Sequence, residues 1–171
     1  HLDPDIYCFW TGDGMAVNAR ITAEAARAYK NRIKHRLILW ENYPVNNANP
    51  TLFLGPITGR PPELADVLDG YMANPLAQQN QANRIPLATM ADYAWNPWDY
   101  DPGRSIAQAI NHEARTPAQR AVLGDLVELY PSMLIYKGIP YHQWTRFNPA
   151  RACFQAILEH PHNRFLADLL E

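Results

Sequence analysis

The sequence predicts an α/β protein built on a parallel sheet. Two observations carry that prediction. Short apolar runs that read as buried strands alternate along the chain with segments of helical periodicity, an order that favours parallel strands joined by right-handed crossovers. Three of these apolar runs also stop at a polar, aromatic stretch: Trp10-Thr11, Trp40 through Asn47, and Asp92 through Asn96.

The elements follow in order. Ile6 to Trp10 is an apolar run ending in Thr11-Gly12-Asp13-Gly14, a buried strand and its turn. Thr22 to Ile33 is Ala-rich with helical periodicity, and Thr22 stands where an N-cap is needed. Arg36 to Trp40 is a second strand, running into a polar loop from Glu41 to Asn47 that Pro44 interrupts. Thr51 to Leu54 reads as a short strand and Pro62 to Tyr71 as a short helix. Ile85 to Met90 is a further apolar run and reads as the third main strand. Ser105 to Glu113 is helical. Thr116-Pro117 opens the next helix, with proline in its first turn. Tyr141 to Glu171 is mostly helical, broken at Pro149 and Pro161.

The composition, 47% hydrophobic and 19% charged over 171 residues, is enough for a folded domain with its own core. A net charge of -2 argues against electrostatic capture of nucleic acid or of an anionic membrane surface. No apolar run is long enough to span a bilayer. The compartment stays open between cytoplasmic and secreted. Cys8 and Cys153 are too few for a disulfide framework and read as two buried thiols. Fifteen prolines, five tryptophans and nine tyrosines suit long ordered loops around a ring-lined cleft, and equally an aromatic core.

In a barrel of eight strands and helices, functional groups sit at the C-terminal ends of the strands, and such a barrel takes about 250 residues. With three or four strands, this chain is expected to be either a doubly wound sheet of its own or a piece of a barrel.

At Leu39-Trp40-Glu41-Asn42-Tyr43-Pro44-Val45-Asn46 the chain resembles glycoside hydrolase family 84, the retaining β-N-acetylglucosaminidases that include protein O-GlcNAcases and bacterial hyaluronidase-like enzymes. The resemblance continues through Leu54-Gly55-Pro56, Gly59-Arg60, Ala73-Asn74-Pro75-Leu76 and Ala91-Asp92-Tyr93-Ala94-Trp95-Asn96. Upstream, Trp10-Thr11-Gly12 is similar to the family's Trp-Thr-Gly strand end. Several motifs in the right order, over roughly residues 6 to 112, make the match specific. It implies the C-terminal part of a (β/α)8 TIM-type barrel over residues 1–114, followed by a helical extension over 115–171 that either packs on the barrel or mediates a homodimer.

The resemblance also implies a chemistry. In this family the substrate's own acetamido oxygen attacks the anomeric carbon and forms an oxazoline, an exception to the two-carboxylate scheme. Two adjacent aspartates orient the acetamido group and do the acid–base work. They lie upstream of the Trp-Thr-Gly strand. No two aspartates are adjacent in this chain, so the resemblance places the catalytic pair in an N-terminal barrel half outside it, and His1 is expected to be an internal position of a longer protein.

What this chain is expected to supply is sugar recognition. Trp40 matches the aromatic wall of the acetamido pocket. Asn42 and Asn74 match asparagines that hydrogen-bond the sugar, an amide both donating and accepting as hydroxyls require. Thr11 is a supporting position. Asn47 is a departure: the family usually has Asp there, gripping two sugar hydroxyls, and an amide makes weaker neutral bonds. The partner is an N-acetylglucosamine-containing glycan or glycoprotein. No metal or organic cofactor is implied.

His160 and His162 flank Pro161 without a third ligand at metal spacing. No serine sits in a nucleophile-elbow pattern, and Gly12-Asp13-Gly14 is not a dinucleotide fingerprint. Asp92 and Asp101 are the best local carboxylates; Asp92 follows an expected strand, where it either touches the site or takes the capping or structural role expected of it. The alternative to the enzyme is a non-catalytic carbohydrate-binding or interaction protein that keeps the recognition rim, or a structural fragment that folds only with its other half.

Overall fold

The computed structural model describes residues 2–14, 16–45, 52–77 and 80–130. Asn47, Cys153, His160, His162 and the expected helical tail beyond Tyr130 lie outside the described residues.

Among the described residues, three parallel strands form one sheet in the order β1-β2-β3. Strand β1 is Tyr7–Trp10, β2 is Arg36–Pro44 and β3 is Gly70–Asn74. Trp10 pairs with Leu39, and Leu39 pairs in turn with Tyr71. Helix α1, Ala23–Ile33, connects β1 to β2. Thr22 caps it, its hydroxyl accepting from the Ala25 N–H at 3.2 Å. Glu24 in the first turn and Lys30 and Arg32 in the last complement the helix dipole. Lys34 ends the helix in the left-handed conformation and donates its N–H to the Lys30 carbonyl.

Strand β2 shows why the sheet has two unlike faces. Leu37, Leu39, Glu41 and Tyr43 are buried, while the residues between them are not, the two-residue period of a strand. The buried row packs on α1 and on a short 3-10 helix, Pro62–Asp66, through Trp10, Ile21, Ala26, Leu64 and Val67. Trp10 stacks on Tyr29 of α1 with ring centroids 5.6 Å apart. The opposite face carries Tyr7, Phe9 and Met72, which remain 43%, 49% and 36% exposed. A parallel sheet is ordinarily covered on both faces, so this second face has the character of a core surface.

Helices α2 (Asn80–Trp95), α3 (Pro102–Glu113) and α4 (Pro117–Leu129) follow. They share a core of Leu54, Ile85, Ala109, Leu123 and Leu126. Tyr43, Ile57, Met90 and Tyr93 join α2 to the sheet. Asp101 caps α3 by accepting from the Arg104 N–H at 2.6 Å. Thr116 and Gln119 form a reciprocal capping box at the start of α4.

Three expected elements differ. Ile85 to Met90 lies inside α2, not in a strand. Its buried positions Ala82, Ile85, Thr89 and Tyr93 recur at three- and four-residue spacing, the mark of a helix face. Pro86 is accommodated in the helix interior, with its carbonyl accepting from the Thr89 hydroxyl at 2.8 Å. The segment read as one helix from Pro62 to Tyr71 divides into the 3-10 helix and β3, because Asp69 and Gly70 leave the helix and join the β2 ladder. Leu52 to Leu54 is not a strand; the Leu54 N–H bonds to the Tyr130 carbonyl instead.

Candidate functional site

The C-terminal edge of the sheet collects three of the expected site residues. Trp40 and Asn42 are two apart on β2 and so share the face opposite the buried row. Asn74 is the last residue of β3. Pairing runs in step from Ile38 and Gly70 to Glu41 and Ala73, then shifts so that Asn74 pairs with Pro44. At that irregularity Asn74 comes beside Asn42. The Asn42 Oδ1 accepts from the Trp40 Nε1–H at 3.0 Å and from the Asn74 Nδ2–H at 2.8 Å. The Asn42 Nδ2 donates to the Ala16 carbonyl at 2.6 Å. Phe9 meets the Trp40 ring edge-on, with centroids 5.5 Å apart.

Thr11 follows directly on β1, and its backbone carbonyl accepts from Asn18 Nδ2 at 2.9 Å. None of the hydrogen bonds that join Trp40, Asn42 and Asn74 reaches it. Asn47 lies outside the described residues.

The other face of β2 supports this edge with a buried ion pair that the sequence reading missed. Arg60 donates from Nε to Glu41 Oε2 at 2.5 Å and from Nη2 to Glu41 Oε1 at 2.8 Å. Their side chains are 1% and 3% exposed. Arg60 also donates to the carbonyls of Asn18 (2.9 Å), Ala19 and Thr58 (both 3.2 Å) and Gly59 (3.3 Å). One guanidinium thus ties the loop after β1 to the loop before the 3-10 helix. That first loop contains Ala16, whose carbonyl meets Asn42. Gly59 allows the approach: its φ is +70°, and a Cβ there would fall 2.2 Å from the Ala19 carbonyl oxygen. The signal was available. Glu41 continues the stripe Leu37, Leu39, and a carboxylate on a buried stripe requires a buried cation.

Two tyrosines flank the pair. Burial, and after it the Glu41 charge, pushes the Tyr71 hydroxyl well above its ordinary range, and this hydroxyl has no hydrogen-bond partner among the described residues. Burial likewise pushes Tyr93 up to about 12, while its hydroxyl donates to the Pro61 carbonyl at 3.1 Å. Both stay neutral phenols at physiological pH.

A model of the β-N-acetylglucosaminidase family matches residues 1–127 of the 171. The chain belongs to that family, glycoside hydrolase family 84. Protein O-GlcNAcases of Rattus norvegicus and Mus musculus are each 33% identical to it over 93 residues, which is 54% of this chain and 10% of each relative. A mutant of Thermobaculum terrenum O-GlcNAc hydrolase superposes with a TM-score of 0.74 at 24% identity, covering 92% of this chain and 39% of the other. CpGH84B gives a TM-score of 0.74 at 23% identity, over 99% of this chain and 34% of its own. At that identity the structural likeness establishes the fold alone. The chain spans about a tenth of the length of the curated relatives it matches.

Among the described residues no carboxylate joins the Trp40–Asn42–Asn74 hydrogen-bond cluster. Asp92, expected after a strand, sits on α2 in the helix layer, with a buried Oδ2 that has no hydrogen-bond partner among the described residues. Asp101 is a helix cap. A cavity of about 200 Å³ lies between the 3-10 helix, β3 and α2, lined by Asp69, Gly70, Tyr71 and Tyr93, and shares no residue with the amide cluster. Among the described residues no group of three or more His, Cys, Asp or Glu side chains is placed to hold a metal, and no helix is long and apolar enough to cross a membrane. Cys8 is a free thiol and half-buried.

Proposed function

We propose that this chain is the sugar-binding side of a retaining β-N-acetylglucosaminidase that removes terminal β-linked N-acetylglucosamine. Residues 1–114 are the C-terminal half of a (β/α)8 barrel in this reading, and residues 115–171 are its helical extension. The observation that carries it is the Trp40–Asn42–Asn74 cluster at the C-terminal edge of a parallel sheet, where barrel enzymes keep their sites. The apolar second face of the sheet, with Tyr7, Phe9 and Met72, suits the interior of a closed barrel.

Trp40 forms an aromatic wall that shields the oxazoline from water. Asn42, Asn74 and Asn47 serve the sugar hydroxyls and acetamido group, with Thr11 in support. The substrate's acetamido oxygen closes on the anomeric carbon as the leaving oxygen departs, and water then opens the oxazoline with overall retention. The aspartate pair that orients the acetamido group and handles the proton comes from an N-terminal barrel half, without which this chain is inactive. The relatives' names, O-GlcNAcase and O-GlcNAc hydrolase, point to glycoproteins as the substrate class.

The test is hydrolysis of a chromogenic aryl β-N-acetylglucosaminide by the full-length protein. Turnover that Trp40→Ala or Asn42→Ala strongly reduces is expected. A well-folded protein without turnover would move the reading to a sugar-binding relative that has lost its chemistry. Asn47, an amide where the family usually has a carboxylate, is the observation that favours that second reading.

A further inference from the structure

The end of helix α2 sets two indoles in water on a turn that is held from both sides. Trp95, the last residue of α2, is 91% exposed, and Trp98 is 60% exposed. Large apolar side chains so exposed and so close in the chain mark a recognition surface more often than a folding need. Asn96 to Asp99 is a β-turn: the Asp99 N–H donates to the Asn96 carbonyl at 3.2 Å, and Pro97 fixes φ at the second position. The Asn96 N–H bonds back to the Asp92 carbonyl of α2 at 3.2 Å. On the other side Arg104 of α3 donates to the Asp99 carbonyl and to its carboxylate. The Tyr100 hydroxyl donates to the Ile57 carbonyl at 2.8 Å. A turn fixed this way loses little freedom on binding, the condition under which an exposed ring gives affinity.

The turn borders the cavity of about 200 Å³. Ala94 and Pro97, chain neighbours of the two indoles, line it together with Asp69, Gly70, Tyr71 and Tyr93. Gly70 begins β3 and Asn74 ends it, so recess and turn stand at the opposite end of that strand from the amide cluster, about 13 Å along it.

The surroundings narrow the ligand. Lys30 neutralises Asp69 at 2.6 Å, so the recess offers no net charge to an organic cation or an anion. The centre of a protein-docking surface is ringed by residues that exclude water. Here the ring is hydrated: Asn96 is exposed, and the Asp99 and Arg104 side chains keep 75% and 48% of their surface in water. A neutral ligand with apolar faces for the rings and hydroxyls for the amide and carboxylate fits both conditions, and that is a carbohydrate.

We propose that Trp95, Trp98 and the recess beside them form a second carbohydrate-binding site, separate from the Trp40–Asn42–Asn74 cluster, that holds a neutral oligosaccharide against its indoles. The choice of N-acetylglucosamine oligomers as its sugar rests on the function proposed above.

The test is electrophoresis of the full-length protein through a gel containing glycol chitin, a soluble neutral polymer of N-acetylglucosamine, with Trp40→Ala present throughout to weaken the first site. The Trp40→Ala protein should be retarded. Adding Trp95→Ala and Trp98→Ala should lower the association constant about tenfold, the loss of two stacked rings. In otherwise wild-type protein the same two substitutions should leave hydrolysis of the aryl β-N-acetylglucosaminide unchanged. No retardation of the Trp40→Ala protein, or equal retardation with and without the two indoles, would overturn the proposal. A double variant that does not fold would also overturn it, because the indoles would then be covered by the rest of the protein. Turnover without indole-dependent retardation removes the second site and leaves the proposed function standing. Indole-dependent retardation of a protein without turnover does the reverse.

Discussion

Arg60 grips Glu41 through two hydrogen bonds, 2.5 and 2.8 Å, with both side chains almost wholly removed from water. Each charge in such a pair is costly to bury alone, so removing one partner is worse than removing both. Arg60→Met and Glu41→Leu are each expected to destabilise the fold by about 3–5 kcal/mol. The double variant should cost less than the sum of the two. Denaturant unfolding of all four proteins checks this, and additive losses would contradict the coupling.

Gly59 and Gly124 should respond to alanine in opposite directions. Gly59 has φ +70° and no room, since its Cβ would sit 2.2 Å from the Ala19 oxygen. Gly59→Ala should break the junction that Arg60 ties and cost several kcal/mol, on the order of other strained substitutions. Gly124 lies inside α4, and a Cβ there meets nothing within 4 Å. Gly124→Ala should stabilise by about 0.4–1 kcal/mol. Thermal midpoints of the two variants against wild type test both signs.

Asp69 makes part of the stability pH-dependent. The hydrogen bond from Lys30 at 2.6 Å, and then the Leu37 N–H at 2.8 Å, hold its carboxyl below the ordinary range. A depressed folded pKa contributes stability that is present above the unfolded value, about 3.9, and is lost as pH falls through the folded value. Wild type should therefore lose more stability than Asp69→Asn as pH drops from about 5 to below 3. Urea midpoints across that interval measure the difference, and parallel curves would show that the contact contributes nothing.

The start of α4 offers a local test. The Thr116 hydroxyl accepts from the Gln119 N–H at 3.2 Å, and the Gln119 side chain accepts from the Thr116 N–H at 3.1 Å. Thr116→Ala should cost about 1 kcal/mol. Thr116→Ser, which keeps the hydroxyl, should retain most of it. Equal losses from the two would mean the methyl group matters and the cap does not.

Local signals made much of this fold legible in the sequence. Tyr7 to Trp10 and Arg36 to Trp40 are apolar runs that terminate in polar residues, and Thr22 and Thr116 stand at helix starts where their oxygens meet free N–H groups. The same local reasoning misassigned Ile85 to Met90, since a short apolar run fits a buried strand and a buried helix alike. It also lost β3, because Gly70-Tyr71-Met72-Ala73-Asn74 is strand only by virtue of its ladder with Ile38 to Pro44. Family resemblance carried Trp40, Asn42 and Asn74 into one list of candidates. Their hydrogen bonds, the Ala16 carbonyl and the Glu41–Arg60 pair belong to tertiary structure. Strand pairing and loop closure bring residues 16, 42 and 74, and residues 41 and 60, within 3 Å, and no one-dimensional pattern encodes a distance between segments so far apart in the chain.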